Sequence, residues 1–280
     1  RDRRCGAFDV RARLRGAPRP PRRRRREGCP RAEGTRHGAC PRQDAIAQLP
    51  GKNGKYYFVF PAGTGIKDRV NPQKSTKWMG IGIAESDSPT GPFKDMIGAP
   101  LWKTPYANDP SMFIDDDGKA YLYFHGVNSD YQVVEMADDM RSIKGDFYKM
   151  DMGGYEPKME GPWIFKRNGI YYFTMPENNR VLSYYTAKSP KGPWKYQGVI
   201  MDEENNANNH HSIVEYKGQW ILFYHRWLND ASSSCNKKQR HSAAEYLHFN
   251  ADGTIQKVER TTKGVSDFAT RVKAAQKKSP

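Results

Sequence analysis

Four polar residues stand at matching places in this chain, and three of them are acidic. Asp44, Asp109, Glu160 and His210 each begin a short apolar run leading to a glycine turn, 10, 9, 9 and 8 residues before Gly54, Gly118, Gly169 and Gly218. Two carboxyl groups brought to one site can divide acid and base roles, because an ionised neighbour raises the pKa of the other. An acid at the head of a buried strand costs free energy unless it is paired or functional. Taken singly, each residue has an ordinary reading: Asp109 before Pro110 and Glu160 before Gly161-Pro162 as loop residues, His210 as a hydrogen-bonded core histidine. Their shared spacing is what favours chemistry. The run Asp115, Asp116, Asp117 before Gly118 reads differently, as a solvated hairpin turn, since the Glu that closes a calcium-binding EF-hand loop is missing.

The elements that would position these residues repeat. "KNGKYYFVF", "DDGKAYLYF", "RNGIYYFTM" and "YKGQWILFYH" each pass from a glycine turn into an aromatic strand, with the turn glycines 64, 51 and 49 residues apart. Asn-Gly and Asp-Gly between alternating apolar residues signal two-residue hairpins, whose turn positions need positive φ. "SPTGPFK" and "SPKGPWK" repeat a second motif about two periods apart. A period of ~50 residues holding several strands predicts β-propeller blades, all-β, with inner strands converging on one channel. Four blades are clear in the sequence, and residues 1–50 have about the length of one more.

Charge and composition divide the chain. The net charge is +15, yet residues 1–43 hold 15 Arg against four acidic residues, a net of +11, which leaves +4 for the other 237. Arg, Gly, Pro and Ala fill 30 of those 43 positions and the first Lys is Lys52. Residues with GC-rich codons giving way abruptly to Lys, Asn, Tyr and Ile read, in order of preference, as a frame-shifted or artificial start, a disordered basic arm, or a nucleic-acid-binding arm. Nucleic acid is thus an unlikely partner. Cys5, Cys29 and Cys40 lie in that segment and only Cys235 in the body, with no CxxC spacing for zinc or a disulfide framework. No run of ~18 apolar residues predicts a membrane span, and no signal peptide is visible at the N-terminus. The expected division is an atypical segment at 1–43 and a propeller domain at 44–280.

"NDPSMFIDDDGKAYLYF", "EGPWIFKRNGIYYF", "NHHSIVEYKGQWILFYH" and "RHSAAEYLHFNADGTI" resemble successive blades of glycoside hydrolase family 43, over roughly residues 44–258. The resemblance implies a five-bladed propeller that hydrolyses arabinosyl and xylosyl linkages of plant cell-wall polysaccharide by inversion. It implies Glu160 as general acid, Asp109 as the carboxylate that orients the acid and tunes its pKa, and Arg240 as a substrate contact. It also implies His210 in the channel, facing water or a calcium ion; no cofactor is required. Trp102, Tyr106, Trp163 and Trp227 could stack on sugar rings or simply pack the core. An inverting pair needs a base ~6.5–9.5 Å from the acid. The family's base belongs to the first blade, and residues 1–43 contain no counterpart, Asp9 being a poor candidate. The base is therefore not identified, and "PRQD" keeps only Asp44 of the second-blade motif.

The expected function is an exo-acting glycosidase releasing α-L-arabinofuranosyl or β-D-xylosyl units from arabinoxylan or arabinan, secreted or periplasmic in origin. Two alternatives remain: a non-catalytic sugar-binding propeller whose first blade is lost, and nucleic-acid binding through the basic arm, which would be salt-sensitive and blind to sequence.

Overall fold

The computed structural model describes residues 49–50, 53–63, 79–102, 107–126, 130–154, 161–177, 180–204, 210–227 and 240–276. Asp9, Asp44, Tyr106, Glu160 and Cys235 lie outside these, as do the side chains of Trp227 and Arg240. The whole 1–43 segment lies outside them too.

The predicted hairpins build four antiparallel sheets in chain order. The first holds β1 (Leu49–Pro50), β2 (Tyr56–Gly63), β3 (Met79–Ser86) and β4 (Lys94–Asp95). The second holds β5 (Asn108–Ile114), β6 (Ala120–His125), β7 (Tyr131–Met136) and β8 (Ile143–Lys149). The third holds β9 (Trp163–Arg167), β10 (Ile170–Pro176), β11 (Leu182–Ala187) and β12 (Lys195–Met201). The last holds β13 (His211–Tyr216), β14 (Gln219–Trp227) and β15 (Arg240–Tyr246), followed by α1 (Phe268–Gln276). Each sheet is a meander whose first strand meets its neighbours: β1 and β2 touch β5, β5 touches β9, and β9 touches β13. Those are the inner strands of a propeller.

Alternation along the strands explains where the cores sit. Val59, Ile81 and Ile83 face Met112, Leu122 and Val134 between the first two sheets. Tyr123, Tyr131, Phe173 and Trp194 fill the next interface. Phe165, Tyr172, Tyr184, Leu222 and Tyr224 fill the third. With Tyr57 and Val59 turned toward the second sheet, Phe58 and Phe60 point the opposite way and gather with Phe93. On the last sheet, Phe223 between Leu222 and Tyr224 faces away from the third sheet and is 44% exposed. Two apolar faces thus flank the position where a further blade belongs.

The turn chemistry is partly as expected. Asn168-Gly169 and Lys217-Gly218 both carry positive φ at each position, which defines two-residue type I′ hairpins. At Asp117-Gly118 only the glycine is left-handed, and its N–H donates to the Asp115 carbonyl. The Asp115 N–H in turn donates to Lys119, the pattern of a type I turn closed by a bulge. The two S-P-x-G-P motifs fold alike: Gly91 and Gly192 each donate to the serine carbonyl three residues back and precede a cis proline. A methyl on Gly192 would lie 2.7 Å from the Trp194 ring, so only glycine lets that buried indole close over the turn.

Asp115 departs from the solvated-turn expectation. Its side chain is only 8% exposed and binds Lys166 Nζ at 2.6 Å, while the Tyr171 hydroxyl donates to its other oxygen. Asp116 and Asp117 remain exposed at 86% and 51%. The aspartate run therefore contains a bolt between the second and third sheets, invisible in sequence because Lys166 lies 51 residues away. Burial pushes the Asp115 carboxyl up, but hydrogen bonds from Lys166 and Tyr171 outweigh it and hold it below its ordinary value. A depressed carboxyl contributes stability above its unfolded pKa of ~4 and loses it as pH falls through the folded value. Lys166→Met is expected to cost about 2 kcal/mol in urea unfolding at pH 7, because it strands a buried carboxylate. That penalty should shrink below about pH 4, as protonation neutralises Asp115. An equal penalty at both pH values would show that lost packing, not charge, is responsible.

Candidate active site

The start of β5 is irregular. Asn108 pairs with His125 and Ser111 with Tyr123, so three steps on β5 match two on β6 and one residue is extra. That bulge falls on Asp109-Pro110, where proline's missing N–H leaves no ladder bond unmade. Asp109 takes φ of +48°, a left-handed conformation that Asp tolerates better than most residues. The bulge re-aims Asp109 into the channel wall, where it is 2% exposed. A strained, buried carboxylate at a strand head is the kind of outlier that points to function.

A second strand head meets it, and a third meets the second. His210, immediately before β13, has Nε2 at 3.8 Å from Asp109 Oδ2 and a side chain 14% exposed. Gly161, two residues before β9, has φ of +89°, and a methyl there would lie 3.3 Å from His210 Cγ and Nδ1. The glycine is what lets the third sheet's inner strand start against the His210 ring. Glu160 is bonded directly to Gly161 and itself lies outside the described residues. The spacing argument that matched Asp109 with His210 across blades is realised in space.

A second set of contacts locks this end of the strands. Trp163 Nε1 donates to the Ile213 carbonyl at 2.8 Å, tying β9 to β13. The buried Thr174 hydroxyl donates to the Trp163 carbonyl at 3.2 Å and lies 2.6 Å from His211 Nε2. That short contact ties the inner strand β13 to the second strand of the third sheet. Trp163 therefore has a structural task at the site's edge. Trp102 packs on Phe124 and Phe147, with ring centroids 5.0 and 4.9 Å away, at the interface of the first two sheets.

Two further histidines were not singled out from sequence. His125 and His225 both stand seven residues past their turn glycines, Gly118 and Gly218. His125 is buried opposite Asn108, and the His225 ring centroid lies 6.2 Å from that of His210. The same offset logic that found Asp109 would have found them; Pro61 and Pro176 hold this position in the other two sheets.

For the calcium ion that the resemblance allows, the donors described here fit poorly. Calcium takes six to eight oxygen ligands, whereas this wall presents imidazoles of His210 and His225 beside the Asp109 carboxylate. Among the described residues, no group of three or more His, Cys, Asp or Glu could hold a metal ion.

This is a β-propeller with a buried carboxylate at one inner-strand head, a histidine beside another, and further histidines at the ends of second strands. The chain belongs to the glycosyl hydrolases family 43, whose model matches residues 45–255, and whose structures are five-bladed propellers. It is 37% identical to a β-D-galactofuranosidase of Aspergillus niger over 75% of this chain and 61% of that protein. It is 30% identical to a xylosidase/arabinosidase of Bacteroides ovatus over 74% and 71%. Among solved structures, a β-xylosidase/α-arabinofuranosidase from a compost metagenome, in calcium-free form with xylotriose, superposes with a TM-score of 0.60 at 32% identity. That match covers 74% of this chain and 71% of the other. The chain thus spans about three fifths of the Aspergillus relative's length.

Proposed function

We propose that this chain is an exo-acting, inverting glycosidase that removes α-L-arabinofuranosyl or β-D-xylosyl units from arabinoxylan or arabinan. The observation that carries the reading is the buried Asp109 at the bulged head of β5, 3.8 Å from His210, with Gly161 against the same ring. In this scheme Glu160 is the general acid that protonates the departing glycosidic oxygen. Asp109, ionised, raises the pKa of that acid so that it holds its proton near neutral pH. His210 and Arg240 bind the sugar, and Trp102 and Trp163 shape the site. Residues 44–280 form the catalytic propeller, outside which lies 1–43, and the protein works as a secreted or periplasmic one.

The test is a screen of the purified chain on p-nitrophenyl α-L-arabinofuranoside, β-D-xyloside and β-D-galactofuranoside, with arabinan alongside. Turnover of the arabinofuranoside or xyloside is expected. Turnover of the galactofuranoside alone would favour a second reading, which the 37% identity to the Aspergillus enzyme supports. Saturable oligosaccharide binding with no turnover on any substrate would instead identify a sugar-binding propeller that lacks its base.

A further inference from the structure

One buried hydroxyl joins the two strand heads that meet at His210. Thr174 shares a face of β10 with Tyr172, the face that packs on the last sheet in a core of Phe165, Leu222 and Tyr224. In that apolar interface Thr174 is 0% exposed, and a valine would fill the same space with no polar atom to satisfy. Its Oγ1 lies 3.2 Å from the carbonyl oxygen of Trp163, the first residue of β9. The same atom lies 2.6 Å from Nε2 of His211, the first residue of β13. Leaving a buried polar group without its partner is costly, so these contacts hold the groups that make them.

Both contacts lead to the site through described residues. His211 is joined by one peptide bond to His210, whose Nε2 lies 3.8 Å from Asp109 Oδ2. Trp163 stands two residues past Gly161, and a methyl on Gly161 would lie 3.3 Å from the His210 ring. A closed loop results: Gly161 to Trp163 along the chain, Trp163 through the Thr174 hydroxyl to His211, then His210, whose ring returns to Gly161. Trp163 Nε1, donating to the Ile213 carbonyl at 2.8 Å, repeats the tie two residues further along β13. We propose that Thr174 is a positioning residue. Its hydroxyl sets the spacing between the heads of β9 and β13, which holds the His210 ring beside Asp109 and so sustains turnover by the glycosidase proposed above. At 0% exposure Thr174 touches neither substrate nor reacting atoms; it acts only through His210.

Thr174→Val, which keeps the shape and removes the hydroxyl, and Thr174→Ser, which keeps the hydroxyl and removes the methyl, form the test. In Thr174→Val, kcat on the substrate turned over by the unmodified chain is expected to fall about 10-fold, with KM little changed. The His210 ring resonances, assigned by their loss in His210→Gln, should move in the same variant. Thr174→Ser should recover most of kcat and return the resonances toward their original positions. His211→Phe, which keeps a ring and removes the nitrogen, reads the contact from its other side and serves if Thr174→Val does not fold. It should lower kcat and move the His210 resonances in the same way, and adding Thr174→Val to it should cost little more. Unmoved His210 resonances in a folded Thr174→Val or His211→Phe variant would overturn the inference, as would a lowered melting temperature with unchanged kcat. A serine variant as slow as the valine one would also overturn it, by assigning the effect to packing of the methyl group. Because the inference rests on the glycosidase reading, the ring resonances separate the two: an unmodified chain without turnover sinks that reading, and the resonances, with their rescue by serine, still decide whether the hydroxyl places His210.

Discussion

Asp109→Asn is expected to lower kcat on an aryl arabinofuranoside or xyloside by about 100-fold while the protein stays folded. Asparagine keeps the shape of the side chain and, like aspartate, tolerates the left-handed φ of +48° that the bulge imposes. What it removes is a negative charge in a site where Asp109 is 2% exposed and solvent screens little. An ionised carboxylate beside a second carboxyl group raises the pKa of that group, so its loss lowers the pKa of the general acid. Activity depends on the acid holding its proton, and the alkaline limb of the pH–rate profile follows that pKa. The limb should accordingly move to lower pH in Asp109→Asn. A profile that drops in height with both limbs in place would mean that Asp109 orients the acid without tuning it. An unchanged rate would remove Asp109 from the site altogether.

The repeat was legible because each blade restates the same local rules: a glycine turn, an alternating strand, a polar residue some nine positions earlier. Two of the residues those rules set at matching positions, Asp109 and His210, lie 3.8 Å apart in the structure. Contacts that depend on two blades meeting at a chosen depth were not legible. Asp115 looked like its exposed neighbours until Lys166 and Tyr171, more than 50 residues on, arrived from the next sheet. The ion pair of Arg226 on β14 with Glu204, 2.6 Å apart, is of the same kind, since neither residue stands at a repeated offset. His125 and His225 fall between: their offset repeats, but in only two of the four sheets, with proline in the others. The bulge at Asp109-Pro110 was also hidden, although a proline inside a strand head is its usual companion.

The two outward apolar faces bear on what the arginine-rich start can do. Phe58, Phe60 and Phe93 on one side and Phe223 on the other would need a blade with apolar residues on both faces. Residues 1–43 offer Phe8, Val10 and Leu14 as their large apolar side chains, against 15 Arg. Three large apolar side chains among 15 arginines is a composition unlike that of a strand-rich blade with two apolar faces. The break in the blade-forming pattern and the break in composition fall in the same segment. Sequencing the source DNA around the codon for Gln43 tests whether that segment is out of frame; an uninterrupted frame in related genes would sink the idea.

Glu160→Gln carries the largest expected effect, a loss of about 10²–10⁴-fold in turnover of oligosaccharide. Glutamine can still hydrogen-bond the glycosidic oxygen but has no proton to give, so the bond must break to an unprotonated alkoxide. Substrates differ in how much that matters. A dinitrophenyl glycoside departs as a stable anion and needs little help, whereas a sugar alkoxide needs nearly a full proton. The variant should therefore retain far more of its activity on the dinitrophenyl substrate than on xylo- or arabino-oligosaccharide, with KM little altered. Its alkaline limb should vanish as well, since the group that titrates there is gone. Gly161, which follows Glu160 in the sequence, lies against the ring of His210, and His210 in turn lies 3.8 Å from Asp109. Equal losses on good and poor leaving groups would assign Glu160 to substrate binding. Unchanged turnover on both would move the acid to another carboxyl group.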